Sequence, residues 1–551
     1  MAQFGKTIAT RKFTLSEATL ADNFRVTAKR YPNLPGIYFL GTAITYKQFD
    51  QYVDSVAGWM TKHIGLKRGD RIAILMQNCP QWLIACYAAI RADLIVVPIS
   101  PMNREDEIAH YLKDSNSKII FCAQEIAEMV TKASKNTDVI SIVVTNYATY
   151  LPENKKYELP EWLTAAAEDF SGCVKWHEVL SSGFTGEESK AAADDICALL
   201  YTSGSTGKPK ACIHTHRSLV HNAMGLTFWH QVHPGDATFG VAPMYHVAGF
   251  CHVVTCPIYA GSSIVILPRW DRDLAAHLLS DYNVSHAAMA PTAVIDLLAN
   301  PQLDKFDFSS LRRITSGGAS MPEEVWNRLR DIMGISFLEA YGMTEAAATT
   351  HLNIPDDPRA NCLGVPFFNT VSGVIDSTTG ELLGDGETGE IIVRGPQIFQ
   401  GYWNRPEATE EAFIELEGEN YLRTGDIGHQ LDGFFYITDR AKRMINASGL
   451  NVWPSEVENI LYGNPHVLEV CVIGVKDAYR GETVKALIKL KDGSEGATNE
   501  KDIIDWSSQK MAAYKYPRIV EFVDSLPKSP LGKILWQELQ DQENTRELNA
   551  G

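Results

Sequence analysis

No two of the ten cysteines stand in a C-x-x-C arrangement, and they are scattered from Cys79 to Cys471. This excludes a disulfide framework and a zinc site and leads us to expect reduced, buried thiols in a cytoplasmic protein. Long hydrophobic runs are missing too. The most apolar stretch, His252 to Pro268, is broken by Gly261-Ser262-Ser263 and is too short to span a bilayer. No apolar segment follows Met1 to Lys6, so no secretory signal is expected, and the C-terminal Leu-Asn-Ala-Gly is no peroxisomal address. Positive charge is not in excess: 50 basic residues face 67 acidic ones, a formal charge of -17. Nucleic acid is thereby disfavoured as a main partner. Repeats and low-complexity tracts are absent.

What is present is a chain of 551 residues, too long for one core and expected to form two to four domains. From about residue 190 to 340, short apolar runs alternate with helical patterns at the spacing of a wound α/β sheet. The expected strands are 196–201, 238–242, 262–267, 285–290, 311–316 and 335–340. Asp273 to Tyr282 and Pro322 to Met333 read as amphipathic helices between them. Region 70–125 repeats the pattern, with strands at 70–75, 95–98 and 118–121, and suggests a second, related lobe. After residue 370 the character turns to β, with Glu390 to Arg394 a strand and Asp432-Gly433 a hairpin turn, as in a small barrel-like subdomain. Beyond Asp439 follows a compact α+β pattern, with strands 469–475, 485–490 and 519–523 and a helix from Asp502 to Ala513. The expected fold is therefore α/β: a large N-terminal domain of two wound lobes and a barrel-like subdomain (1–440), then a smaller α+β domain (441–551).

The stretch Tyr201-Thr-Ser-Gly-Ser-Thr-Gly-Lys-Pro-Lys210 directly follows the apolar run Ile196 to Leu200. Small residues leaving a buried strand let backbone amides and hydroxyls close around phosphate oxygens, so a nucleoside triphosphate is the expected ligand. A Walker loop it is not, because Pro209 stands after Lys208 where a magnesium-binding Ser or Thr would be needed. In wound sheets ligands bind at the carboxyl ends of strands, where this loop, the Ser316-Gly317-Gly318 turn and the Tyr341 turn all fall.

Four further motifs follow in order: Tyr341-Gly342-Met343-Thr344-Glu345, Thr424-Gly425-Asp426, Asp439-Arg440-Ala441-Lys442, and Pro527-Lys528-Ser529-Pro530-Leu531-Gly532-Lys533-Ile534. Together with the 201–210 loop they resemble the adenylate-forming (AMP-binding) superfamily, in its acyl-CoA synthetase branch, over essentially the whole chain. The resemblance implies that a carboxylate attacks the α-phosphate of ATP to give an acyl-adenylate and pyrophosphate. The thiol of CoA then takes the acyl group and AMP leaves. ATP, magnesium and CoA are the implied small molecules.

Position by position, the resemblance assigns Thr202, Ser203, Gly204, Ser205, Thr206, Gly207 and Lys210 to the phosphates. Gly318, Ala319 and Tyr341 line the adenine, Gly342 belongs to the same ATP/AMP site, Thr344 touches the α-phosphate and Glu345 binds magnesium, a hard oxygen ligand for a hard cation. Asp426 and Arg440 hold the ribose. Lys533 is the catalytic lysine, bridging carboxylate and α-phosphate in the transition state. Because that lysine sits on a separate domain, the C-terminal domain is expected to rotate about a hinge at Lys442, after which Ser448, Gly449 and Leu450 shape the CoA channel.

The segment Ala242 to Phe250 matches the family's acyl pocket, with His246, Val247, Phe250 and Gly317 as its candidates. An amino-acid substrate would require a buried acid for its ammonium. Residues 241–255 contain none, so a fatty or aromatic acid fits better. Ala211-Cys212 departs from the usual Gly-Val after the phosphate loop, and Arg443 stands where many relatives carry an acid. A carrier-protein pantetheine or oxygen as acceptor stays open, as does a non-catalytic nucleotide or acyl sensor on the same fold. The intact set Lys210, Glu345, Asp426, Arg440 and Lys533 speaks against the sensor. A small-molecule carboxylic acid is the expected partner, and a homodimer is an assembly this reading allows.

Overall fold

A computed structural model describes residues 11–202, 209–317, 321, 323–335, 337–440, 443–447, 450–477, 481–491, 493–528 and 534–550. By internal packing the chain forms two compact units, Ala9–Val371 with Arg394–Phe413, and Ser372–Val393 with Ile414–Gly551. The expected division at residue 440 falls inside the second of these.

The first unit holds two sheets. One has seven strands in the order Val174–Lys175, Ser141–Thr145, Ser117–Ala123, Arg71–Leu75, Ile95–Pro98, Ile196–Tyr201, Ala211–Thr215. Its strands run parallel up to Ile196–Tyr201, and Ala211–Thr215 then turns back antiparallel. Parallel strands covered on both faces need continuous apolar runs, and Ile72 to Leu75, Ile119 to Cys122 and Cys197 to Leu200 are all buried. The helix Glu105–Ser115 seals one face through Ile108 and Leu112, one turn apart, while Glu105, Asp106 and Glu107 place negative charge at its N-terminus.

The other sheet has nine strands, ordered Val365–Pro366, His351–Leu352, Phe337–Tyr341, Arg313–Gly317, His286–Ala288, Ala237–Gly240, Ser263–Ile266, Pro35–Phe39, Thr42–Thr45. Its centre, from Phe337–Tyr341 to Pro35–Phe39, is parallel and both ends are antiparallel. The strand at 196–201 does not join this sheet, as its place in the 190–340 alternation suggested. It pairs in parallel with Ile95–Pro98 through Val96 and Ala198, because a run buried on both faces fits either sheet and its partner is chosen by long-range packing.

In the second unit, Val371–Ile375, Thr388–Arg394, Phe413–Leu416, Glu419–Leu431 and Phe434–Arg440 form a five-stranded sheet. The Asp432-Gly433 hairpin is as expected: both residues have positive φ, 51° and 81°, as a tight two-residue turn requires. A second five-stranded sheet combines Ile445–Ala447, Leu450–Val452, Val467–Asp477, Gly481–Leu490 and Ile519–Phe522. Val457 and Leu461 of the helix Pro454–Leu461 pack on Val470, Val472, Ala486 and Ile488 with Ile503 of the helix Glu500–Ser508. That helix stops five residues short of the expected Ala513.

Candidate functional site

The Ser/Gly/Thr-rich segment 201–210 stands in sequence between two antiparallel neighbours, Ile196–Tyr201 and Ala211–Thr215, and its described ends close on each other. Thr202 N donates to Lys210 O at 2.9 Å and Lys210 N to Thr202 Oγ1 at 3.2 Å. Tyr201 anchors the stem: its phenol donates to Asp114 Oδ2 at 2.9 Å, and Asp114 also pairs with Arg405 at 2.7 Å. Ser203, Gly204, Ser205, Thr206 and Gly207 lie outside the described residues, as do Gly318, Ala319, Lys442, Ser448, Gly449 and Lys533.

Tyr341 ends its strand, and the residues after it fold into a tight knot. Ala346 N and Ala348 N donate to Met343 O at 3.1 and 3.2 Å, and Thr350 N returns to Tyr341 O at 2.9 Å. Gly342 is obligatory here, since a Cβ at this position would lie 1.4 Å from Ala348 O. Ala347 and Ala348 carry φ of 44° and 79°, a left-handed pair that L-residues with a Cβ adopt at a cost. The knot is held from below by the helix His216–His230: the Asn222 side-chain amide donates to Ala346 O at 3.3 Å and to Ala347 O. The buried Cys251 thiol donates to Ala347 O at 3.1 Å.

His214 Nε2 faces the Thr344 carbonyl at 2.7 Å, which requires that nitrogen to carry the proton. Burial pushes the His214 imidazolium down to about 4, so the ring is neutral near pH 7. Thr344 and Tyr341 are both buried. Two strand positions before Tyr341, desolvation raises Glu339 to about 7, against hydrogen bonds from the Met321 and Asn361 amides.

Glu345 and Lys210 meet through a residue that no motif reading singled out. The Tyr402 phenol donates to Glu345 Oε1 at 2.6 Å, and Lys210 Nζ lies 4.2 Å from the centre of the same ring. Burial and the Glu345 charge drive the Tyr402 phenol far above its usual range. The signal was in the sequence only as an aromatic in Gly401-Tyr402-Trp403; nothing local ties it to residues 345 and 210. Asn78 was missed for the same reason. It clamps the turn before His246, accepting from Met244 N at 2.9 Å and donating to Gly240 O and Ala242 O at 3.0 Å.

His246 caps a short helix, its Nδ1 accepting from Ala248 N at 3.3 Å. Val247 and Phe250 are buried, the latter completely and edge-on to Trp82 at 6.1 Å. Gly317 pairs with Ala340, whose carbonyl lies 2.5 Å from where a Cβ would stand, so the two strands can approach only with glycine there. In the second unit, Asp426 is buried and stands directly opposite Arg440 in the antiparallel register. The expected ribose pair is thus adjacent on two strands. Arg440 and Leu450 are described in backbone only.

In one unit, two wound sheets carry a lysine at the end of a small-residue segment and a carboxylate, both against one phenol ring, groups suited to binding phosphate and a cation. Comparison with known proteins makes the class specific. Residues 24–403 match the model of the AMP-binding enzymes, and 456–533 that of the AMP-binding enzyme C-terminal domain. A long-chain-fatty-acid–CoA ligase of Bacillus subtilis is 34% identical over 545 residues, 96% of this chain and 95% of that one. A ligase of the same name from Escherichia coli O157:H7 is 31% identical over 550 residues, covering 95% and 94%. The crystal structure of an anthranilate CoA ligase in complex with anthranoyl-AMP superposes with a TM-score of 0.86 at 25% identity, covering 97% and 99%. The chain belongs to the AMP-binding enzyme family, the adenylate-forming enzymes, on its acyl-CoA synthetase branch. It is an AMP-forming acid–thiol ligase that uses ATP and CoA.

Proposed function

We propose that the acid is a fatty acid, activated as its adenylate and passed to CoA. The observation that carries the activation step is the Lys210–Tyr402–Glu345 arrangement, which presents a cation and a carboxylate from one buried ring. Lys210 would neutralise phosphate oxygens as pyrophosphate leaves. Glu345 suits magnesium, which takes one or two carboxylates and completes its shell with phosphate oxygens and water; bound there, the ion would supply charge neutralisation. Thr344, next to Glu345 in the chain, is assigned to the α-phosphate, and Asp426 and Arg440 of the second unit to the ribose hydroxyls.

The choice of a fatty acid rests on the absence of any acidic residue in 241–255, on the apolar burial of Val247, Phe250, Val253 and Val254, and on the names of the ligases from B. subtilis and E. coli. The remaining assignments complete the proposal: Lys533 as the lysine of adenylation, a domain division at residue 440, Lys442 as the hinge, and Ser448 to Leu450 along the CoA path. A cytoplasmic location agrees with cysteines that are mostly buried and form no disulfide among the described residues. Among the described residues no helix is long and apolar enough to cross a membrane.

AMP release should be measured with MgATP across straight-chain, branched and aromatic acids, each with and without CoA. CoA-dependent turnover highest for long straight chains is expected. A preference for aromatic acids would overturn the fatty-acid choice. Lys533→Ala is expected to abolish adenylation while sparing thioester formation from supplied acyl-adenylate; equal loss of both half-reactions would remove its assigned role.

A further inference from the structure

The geometry points to Tyr402 as a positioning residue of the nucleotide site, a spacer whose ring holds the Lys210 ammonium and the Glu345 carboxylate in register and keeps them from pairing with each other. We infer this on the reading of those two groups as phosphate and cation ligands. Among the described residues, Lys210 and Glu345 form no ion pair. Opposite charges held against one ring, in a partly dry site, attract each other. Joined directly, they would satisfy one another, and an incoming nucleotide would have to break the pair.

The ring removes that alternative. A π face attracts a cation without neutralising it, and a phenol that donates to one carboxylate oxygen leaves the negative charge in place. Each charge is thus oriented by the same neutral side chain and stays available to ligand.

The backbone fixes the spacer against both partners. Trp403 N donates to Ala211 O at 2.8 Å and Ile213 N to Gly401 O at 3.0 Å, which ties the segment to the strand that follows Lys210. Phe399 N donates to Glu345 O at 2.8 Å, which ties it to the knot. Tyr402 N donates to Thr409 Oγ1 at 2.9 Å, and Phe399 packs edge-on against the Tyr402 ring at 4.8 Å. An aromatic present only to fill space would need neither the short phenol contact nor anchoring to both charged elements.

The test is calorimetric affinity of the full-length protein for α,β-methylene-ATP, with and without magnesium and in the absence of acid. Urea midpoints of wild type, Tyr402→Phe and Tyr402→Leu are measured alongside. Tyr402→Leu should weaken binding about fivefold or more in both conditions as the two charges collapse together. Tyr402→Phe keeps the face and loses the tether, so it should match wild type without magnesium and lose about threefold with it. Lys210→Met should cost less in the Tyr402→Leu background than in wild type. Unchanged affinity of the Leu variant, or equal losses for Phe and Leu in both conditions, would overturn the spacer. Should the Leu variant not fold, Tyr402→Phe decides alone, and wild-type affinity with magnesium present overturns the proposal. Wild-type protein that took none of the analogue would overturn the nucleotide reading itself.

Discussion

At Gly342 the turn after Tyr341 leaves no room for a single carbon, since the Ala348 carbonyl occupies the place a Cβ would take. Gly342→Ala should therefore dislodge the whole 341–350 turn and abolish ATP–pyrophosphate exchange; exchange within about tenfold of wild type would show that the turn can re-form around a methyl group. Glu345→Gln keeps the shape of the side chain and the acceptor for Tyr402 but removes the charge. Adenylation should fall by about a hundredfold or more, as for loss of one preorganised charge partner in a transition state, and a variant within about threefold would exclude Glu345 from charge neutralisation. The residues proposed to carry chemistry were picked out individually, because Lys210, Thr344, Glu345 and Asp426 stand in short ordered motifs. Tyr402 and Asn78 were not. Their partners lie 57 to 192 positions away for Tyr402 and 162 to 166 for Asn78, and only folding brings them together.

The helix His216–His230 acts on the site as an element, by presenting Asn222 to carbonyls that the left-handed pair Ala347–Ala348 turns inward. Asn222→Ala would leave buried carbonyls with fewer donors, a cost of about 1–3 kcal/mol. The loss should appear as a lower urea midpoint together with a lower kcat for adenylation. A lowered midpoint with unchanged kcat would mean that Asn222 supports the fold and not the turn. Elements themselves were readable from apolar runs and turn residues: the strands near 72, 96, 120, 264 and 338 all occur, and so does the Asp432-Gly433 hairpin. Sheet membership was less so. Ile196–Tyr201 has the same apolar character as strands of either sheet, and it is Val96 opposite Ala198, a contact across a hundred residues, that assigns it.

At the scale of the whole molecule, among the described residues the histidines His214, His216, His221, His230, His252, His286 and His351 are held neutral by burial, most of them with imidazolium values pushed down to about 4 or about 3. An unfolded chain takes up protons at such rings near pH 6.5. The folded chain does not do so until about pH 4 or below. As pH falls from about 6.5 towards 4 the unfolded state binds more protons than the folded one, so stability must fall. Each ring contributes about 1 kcal/mol per pH unit in that window. Urea midpoints should drop steeply between pH 6.5 and 5 and hardly change from pH 7 to 8. A flat profile down to pH 5 would show that these rings are solvated. All seven lie in the unit made by Ala9–Val371 and Arg394–Phe413, so acid should open that unit first.

That unit is discontinuous in sequence, and this gives it a schedule. The chain completes both wound sheets by residue 366, leaves to build Ser372–Val393, and returns with Arg394–Phe413 before departing for good. On a ribosome, therefore, the sheets can assemble while the place of Tyr402 is still vacant, and the lysine and carboxylate it separates have an interval in which to find each other. A nascent chain halted after residue 393 should carry a well-formed α/β body with its two charges wrongly joined, and the last twenty residues to arrive in that body would be the ones that prise them apart.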